Sequence, residues 1–144
     1  MTENGCVFCR IVAGTEPAHV VFANDDVVAF LDAAPATEGH TLVVPRVHCR
    51  NLLDASDAIA SALAVGTRDV AQLLVRSLGA SGVTVFQANE PDGWQEVFHL
   101  HVHVVPRHPG DRLVLPWGAE EAAAHDAAAT WRRIVDGQSG AEGR

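Results

Sequence analysis

The stretch VFHLHVHVVPR, Val97 to Arg107, sets His99, His101 and His103 at strict alternation, with Leu100, Val102 and Val104 between them. An imidazole can ligate a metal, move a proton, or attack as a nucleophile near neutral pH. In an extended strand successive side chains point to opposite faces, so the three histidines share one face. Phe98, Leu100, Val102 and Val104 share the other, which is expected to pack on a helix. The imidazole face is then expected to be the concave or solvent side. Alternate residues lie roughly 6.5–7 Å apart along a strand, so the outer pair is about 13 Å apart. One metal can take two neighbouring rings but not all three.

A second group of chemical interest lies at the start of the chain. Cys6 and Cys9 form a C-x-x-C pair. Alone, that spacing fits half a zinc site, a redox pair, or two free thiols. A redox motif of the thioredoxin kind needs a βαβ context, which the sequence lacks. A zinc site needs two further ligands in near-tetrahedral array. His48, in PRVHC, and His99 are at hand. Cys49, beside His48, reads as a buried small hydrophobe. His19, His108 and His125 fall outside these groups and are expected at the surface.

The elements that must hold these residues can be read from periodicity. Cys9–Pro17 reads as a short helix, with Gly14 at its C-terminal turn and Pro17 beyond it. His19–Asp25 and Val27–Asp32 read as a hairpin turning at Asn24–Asp26, and Thr41–Pro45 as a third strand. From Ser56 to Leu78, Ile59, Leu63, Val70, Leu73, Leu74 and Leu78 trace the stripe of an amphipathic helix. Asp54 or Ser56 is placed to cap it and Gly79 to end it; Gly66 within it suggests a close approach to a sheet. Val83–Asn89 and Val97–Pro106 complete five strands, and Glu120–Val135 reads as a last helix. The fold class is α+β, a mainly antiparallel five-stranded sheet with one long helix on it and short helices near both termini. Residues 1–137 are expected to form a single domain, and 138–144 a flexible tail.

Composition narrows the function. The chain has 144 residues, 18 acidic and 10 basic, for a formal charge of −8. No basic block appears, so nucleic acid is not an expected partner. The most apolar run, AIASALAVG from Ala58, is interrupted and short for a bilayer span. No basic segment followed by an apolar run opens the chain. Three cysteines fit poorly with a disulfide framework. A cytoplasmic protein without a membrane partner is expected.

HLHVHVV matches the His-φ-His-φ-His-φ-φ signature, φ being apolar, of the histidine triad (HIT) superfamily of nucleotide hydrolases and transferases. CVFCRIVAGTEP, VVAFLDAAPATEGHTLVVPRVH and FHLHVHVVPR fall in that family's order and spacing, so the chain resembles it from about Cys6 to Pro116. The resemblance implies a HIT-like fold and a homodimer. It implies that His101 attacks the α-phosphorus of a nucleoside 5′-phosphoryl compound, giving a nucleotidyl-histidine that water hydrolyses. His103 would bind the phosphate and manage charge at the leaving group, with His40 in support. Asp32 matches the ribose-binding acid, with a turn-capping role as the alternative. Asn89 and Gln95 match phosphate contacts, with a turn role before Pro91 as the alternative for Asn89. Val7, Phe8, Ile11, Phe30 and Leu42 match the apolar cleft around the base, with plain core packing as the alternative. Many bacterial members hold a structural zinc, and the resemblance implies Cys6, Cys9, His48 and His99 as a closed set of four ligands. A purine nucleotide or nucleotide conjugate is the implied substrate. A dinucleoside polyphosphate, and a binding module with weak turnover, are the alternatives. Leu113–Trp117 falls where family members send a segment to the partner's site, making Trp117 a candidate border of it. One departure stands out: the family commonly has glycine just before the Gln, and this chain has Trp94 there, with Gly93 displaced by one.

Overall fold

The computed structural model describes residues 5–114, 116 and 118–139. Its compact units are residues up to Asp111 and residues from Arg112 onward.

The first unit carries α1 (Val7–Val12), β1 (Val20–Ala23), β2 (Val27–Leu31), β3 (Thr41–Pro45), α2 (Asp57–Leu78), β4 (Gly82–Phe86) and β5 (Val102–Arg107). The strands form one sheet in the order β1-β2-β3-β5-β4, every neighbouring pair antiparallel. This is the expected α+β architecture. The alternation of β2 and β3 divides the core in two. Val27, Ala29 and Val43 face α2, where they meet Leu63, Val70 and Leu74 together with Leu100, Val102 and Val104. Val28, Phe30, Leu42 and Val44 face the other way and pack with Cys6 and Phe8 of the N-terminal segment. The central strands are therefore buried on both faces, which accounts for their unbroken apolar sequence.

The long helix starts and stops as expected. Ser56 accepts a hydrogen bond from the Ile59 amide, and Gly79 ends the helix at φ 66°. A Cβ added at Gly66 would lie 2.7 Å from Cγ2 of Val27, so glycine there permits the helix to sit on the sheet. By length and composition alone this 22-residue helix could cross a membrane, longer than the apolar run in the sequence suggests. Its stripe of Leu63, Gly66, Val70 and Leu74 is instead buried against the sheet.

Besides the histidine strand, three elements differ from the sequence reading. The first helix begins at Val7, because the Cys6 sulfur caps it by accepting the Cys9 amide at 3.5 Å. β4 stops at Phe86 rather than Asn89, where the Gln87 and Asn89 side-chain amides pair reciprocally at 2.9 and 2.6 Å. In the second unit the expected helix Glu120–Val135 is two helices, α3 (Ala119–Ala123) and α4 (Ala127–Ser139). Asp126 breaks the run by accepting the Ala129 amide at 3.1 Å, a fresh N-terminal cap. Of the segment expected to reach a partner, Leu115 and Trp117 lie outside the described residues, as do residues 140–144 of the expected tail, whose first two residues, Gln138 and Ser139, instead end α4.

Candidate functional site

The histidine stretch is only partly a strand. β5 begins at Val102, so His103 lies on the ladder while His99 and His101 precede it. Pro45, the last residue of β3, has no N–H to extend the ladder. Its carbonyl instead receives the His99 ring at 2.9 Å, and the Leu100 amide turns to the Cys49 carbonyl at 2.8 Å. The alternation nevertheless persists: Leu100, Val102 and Val104 enter the α2-side core. Of the two expected settings for the imidazole face, concave or solvent, it takes the enclosed one. Phe8 of α1 roofs it, edge-on to His99 and His101 with ring centroids at 6.0 and 5.2 Å. His99 is fully buried and His101 is 6% exposed.

The structure brings Cys6, Cys9, His48 and His99 together, their ligand atoms all within 4.8 Å of one another. Nδ1 of His99 lies 3.5 Å from the Cys6 sulfur, 3.4 Å from that of Cys9 and 3.2 Å from Nδ1 of His48. Nδ1 of His48 is 3.2 Å from the Cys9 sulfur. A carbonyl only accepts, so Nε2 of His99 carries a proton toward Pro45 and Nδ1 presents a bare lone pair to the cluster. Burial, with His48 and His101 nearby, pushes His99 down to about 4, so the ring is neutral at neutral pH. A lone pair and two sulfurs facing one point, with the ring fixed from behind, can hold a metal. Cys49 is buried on the opposite side, in the α2-facing core.

Protons are arranged differently around His101 and His103. Nδ1 of His101 donates to the His99 carbonyl at 2.7 Å, which leaves Nε2 with a free lone pair. Burial lowers the pKa of His101, favouring that neutral form. Nδ1 of His40 accepts the Ala36 amide at 3.0 Å, so its proton sits on Nε2. That proton meets Nδ1 of His103 at 2.9 Å, and the remaining proton of neutral His103 is then on Nε2. Burial first, then His101 and His40, push His103 down to about 4. Asp32 closes the group. One oxygen accepts the Ala34 amide at 2.8 Å, the turn-capping role; the other lies 3.5 Å from Nε2 of His40 and 3.8 Å from Nδ1 of His103. Asp32, His40 and His103 lie close enough together to hold a metal. The Ala36 amide argues for a proton relay instead, because it keeps Nε2 of His40 protonated.

The remaining predicted residues are placed as follows. Val7, Phe8, Ile11, Phe30 and Leu42 do form one apolar cluster. Phe8, Phe30 and Leu42 are nearly fully buried, while Val7 and Ile11 are half-buried. Asn89 accepts the Leu52 amide at 2.9 Å besides pairing with Gln87. Gln95 is buried and saturated. Its oxygen accepts from Asn51 and the Glu90 amide; its nitrogen donates to the carbonyls of Arg50 and Val97. A direct phosphate contact from the Gln95 side chain does not fit this geometry, since no polar capacity is left over.

Gln95 instead fixes a strained loop. Glu90 and Trp94 both have positive φ, 63° and 73°. Glycine adopts this region without cost, which gives the Trp94 departure a backbone meaning. Arg50 clamps Glu90 with two 2.7 Å bonds and lies over the Phe98 ring at 4.2 Å. Hydrogen bonds from Arg50 and Asn51 hold the Glu90 carboxyl down to about 2. Sequence reasoning missed Asn51, Arg50 and Glu90, whose roles depend on loop contacts about forty residues apart. It also missed Phe86, stacked flat on His103 with centroids 4.1 Å apart and 7° between planes. That pairing needs the register of β4 on β5, which folding supplies.

Comparison with known proteins agrees with this geometry. A family model for the HIT domain matches residues 13–110. An uncharacterized HIT-like protein of Saccharolobus solfataricus is 42% identical over 101 residues, covering 70% of this chain and 73% of that protein. An adenylylsulfatase of Arabidopsis thaliana is 28% identical over 123 residues, covering 85% of this chain and 61% of that protein. The crystal structure of a zinc-bound histidine triad family protein from Mycobacterium smegmatis has a TM-score of 0.74 at 34% identity, covering 81% of this chain and 85% of its own. The family model, the relatives and the fold converge on the triad-bearing unit, and the chain belongs to the HIT domain family.

Proposed function

We propose that this protein hydrolyses or transfers nucleotidyl groups, with His101 as the nucleophile. One observation carries the reading. The 2.7 Å bond from Nδ1 of His101 to the His99 carbonyl fixes the tautomer whose Nε2 can attack. Nε2 forms a bond to the α-phosphorus of a nucleoside 5′-phosphoryl compound as the bond to the leaving group breaks. Water then cleaves the nucleotidyl-histidine and restores the free ring, splitting one displacement into two. His103 offers its Nε2–H to an oxygen of the phosphoryl group or to the leaving atom, where charge develops. Asp32 presents the oxygen facing His40 to the ribose hydroxyls. Val7 and Ile11, the accessible members of the apolar cluster, meet the base, for which a purine is the proposed fit. Asn89 and Gln95 shape the phosphate loop. The similarity to an adenylylsulfatase supports the class of reaction. Trp94, 72% exposed, leaves a ring free beside this loop, which favours a second reading with a dinucleoside polyphosphate.

Cys6, Cys9, His48 and His99 fit zinc. The four separations that involve an imidazole nitrogen, at 3.2–3.5 Å, compare with roughly 3.3–3.6 Å for the nitrogen–nitrogen and nitrogen–sulfur pairs of a tetrahedral site with the usual zinc–ligand lengths, and all four ligand atoms lie within 4.8 Å of one another. Four protein ligands leave no open position, so a bound metal would supply structure, with Cys6 and Cys9 at α1, His48 just after β3 and His99 just before β5 as its ligands. Homodimerisation is supported by β4, an edge strand whose Val85 and Phe86 are exposed. None of the three cysteines is in a disulfide, which suits the cytoplasm.

The test is to mix the protein with a panel of adenylyl compounds, quench in alkali, and seek an adenylyl mass gain on the peptide bearing His101. His101→Ala is expected to lower kcat by about a thousandfold or more. If the wild type neither forms an adduct nor releases AMP from any compound, the chain is a nucleotide-binding module.

A further inference from the structure

We infer that Phe86 is a positioning residue for His103, fixing the direction of its Nε2–H. The antiparallel register of β4 and β5 sets Phe86 directly opposite His103. Their rings lie nearly parallel, with centroids 4.1 Å apart and 7° between planes. The other rings around His103 meet it at an angle: His40 at 5.1 Å and 46°, His101 at 5.1 Å and 60°.

The geometry of restraint leads to the role. The hydrogen bond from Nε2 of His40 to Nδ1 of His103 fixes one point on the edge of the imidazole. One edge contact still tolerates tilt of the ring through its χ1 and χ2 torsions. Such tilt redirects the Nε2–H vector. A flat aromatic surface against the ring face blocks it, and Phe86 supplies that surface. The edge bond and the face contact together fix the vector along which Nε2–H points. Phe86 is 43% exposed, so burial of its own side chain is not what holds it there. Direct cross-strand aromatic pairs are a favoured arrangement, and the ring is rigid enough to act as a stop.

This inference rests on the nucleotidyl-hydrolase reading, in which His103 donates to the phosphoryl group. It is tested with Phe86→Leu, which keeps an apolar side chain but removes the plane, and Phe86→Tyr, which keeps the plane. With an adenylyl substrate, Phe86→Leu is expected to lower kcat about tenfold with KM within about twofold, since loss of orientation acts on the reacting geometry. Phe86→Tyr is expected to stay within about twofold of wild type in both. Unchanged kcat in Phe86→Leu, or an equal loss in both variants, overturns the inference. A second readout needs no turnover. The carbon-bound ring protons of His103 should show an upfield ring-current shift by NMR in wild type and Phe86→Tyr, relieved in Phe86→Leu. A His103 spectrum unmoved by Phe86→Leu overturns the positioning role even if kcat falls. If the wild type turns over no substrate, the hydrolase reading fails, and the NMR comparison alone decides whether Phe86 holds His103.

Discussion

His99 and His40 are both nearly buried histidines beside a cluster of ligating groups, yet they present opposite things to it. Behind His99 stands a carbonyl, that of Pro45, which takes the ring proton and leaves a lone pair facing two sulfurs and a second imidazole. Behind His40 stands an amide, that of Ala36, which takes the lone pair and leaves a proton facing His103 and Asp32. One backbone group in each place, of opposite polarity, separates a cluster that can hold a metal from one arranged to pass a proton. His101 sits between them and follows the first pattern. Its proton is held by a carbonyl and its lone pair is free, as a nucleophile requires. The residue type alone would not distinguish these three roles.

The largest expected effect tests the metal half of the comparison. Cys9→Ala removes a sulfur 3.2–3.4 Å from both imidazoles. Metal analysis should find zinc falling from about one per chain to less than about 0.2, because a cluster of three ligands binds far more weakly. Since metal affinity is folding free energy, the midpoint of thermal unfolding should drop by roughly 10 °C. Turnover measured well below that midpoint should fall by less than about fivefold, because the His40–His103 relay does not include Cys9. If Cys9→Ala instead abolishes turnover while leaving the midpoint in place, the division into structural and chemical clusters is wrong.

Gln95 offers a way to disturb both clusters at once. It ties the Arg50 carbonyl, two residues past His48, to the Val97 carbonyl, two residues before His99. Gln95→Leu leaves those carbonyls and the Glu90 amide without partners. The expected cost is about 3 kcal/mol, read from chemical denaturation, since buried polar groups left unpaired cost about 1–3 kcal/mol each. Zinc content and kcat should fall together. Loss of one without the other would mean the loop serves only that cluster.

How much of this was legible beforehand follows a physical boundary. The alternation of the histidine stretch, the Ser56 and Gly79 caps, and the Gly66 contact were legible because each depends on period or on one residue's chemistry. The grouping of Cys6, Cys9, His48 and His99 came through resemblance, and the fold then assembled it. The start of α1 was hidden because a thiol, not a hydroxyl or carboxylate, caps it. The start of β5 was hidden because the ladder ends at the Val43–Val102 pair, and Pro45, two residues further along β3, offers no N–H to extend it. The break at Asp126 was readable as a capping signal but lost within an alanine-rich run. Proton positions on His40, His99 and His101 lay beyond reach, since each is set by a backbone group brought in by folding. The same holds for the Phe86–His103 stack, which needs the register of β4 on β5.

The smallest expected effect concerns acid, and it acts on the relay. His103 is held neutral, with a pKa lowered from 6.5 to about 4. The native state then binds fewer protons than the unfolded chain between those values. Stability therefore rises with pH across this window and is lost as pH falls from about 6.5 toward 4, by at most about 1.4 kcal/mol per pH unit for one group. Below about 4 the native ring also protonates and this contribution levels off. A variant that cannot titrate there, His103→Gln, lacks the slope. Denaturation of wild type and His103→Gln, measured from neutral pH down to about 4.5, should show the wild type losing more stability, the excess approaching one proton's worth. Metal-linked protons at the other cluster affect both proteins alike and cancel in the difference. Parallel curves would show that His103 is already charged in the native state. The Ala36 amide would then not be holding the relay neutral, and the contrast between the two clusters would no longer rest on the backbone group behind each ring.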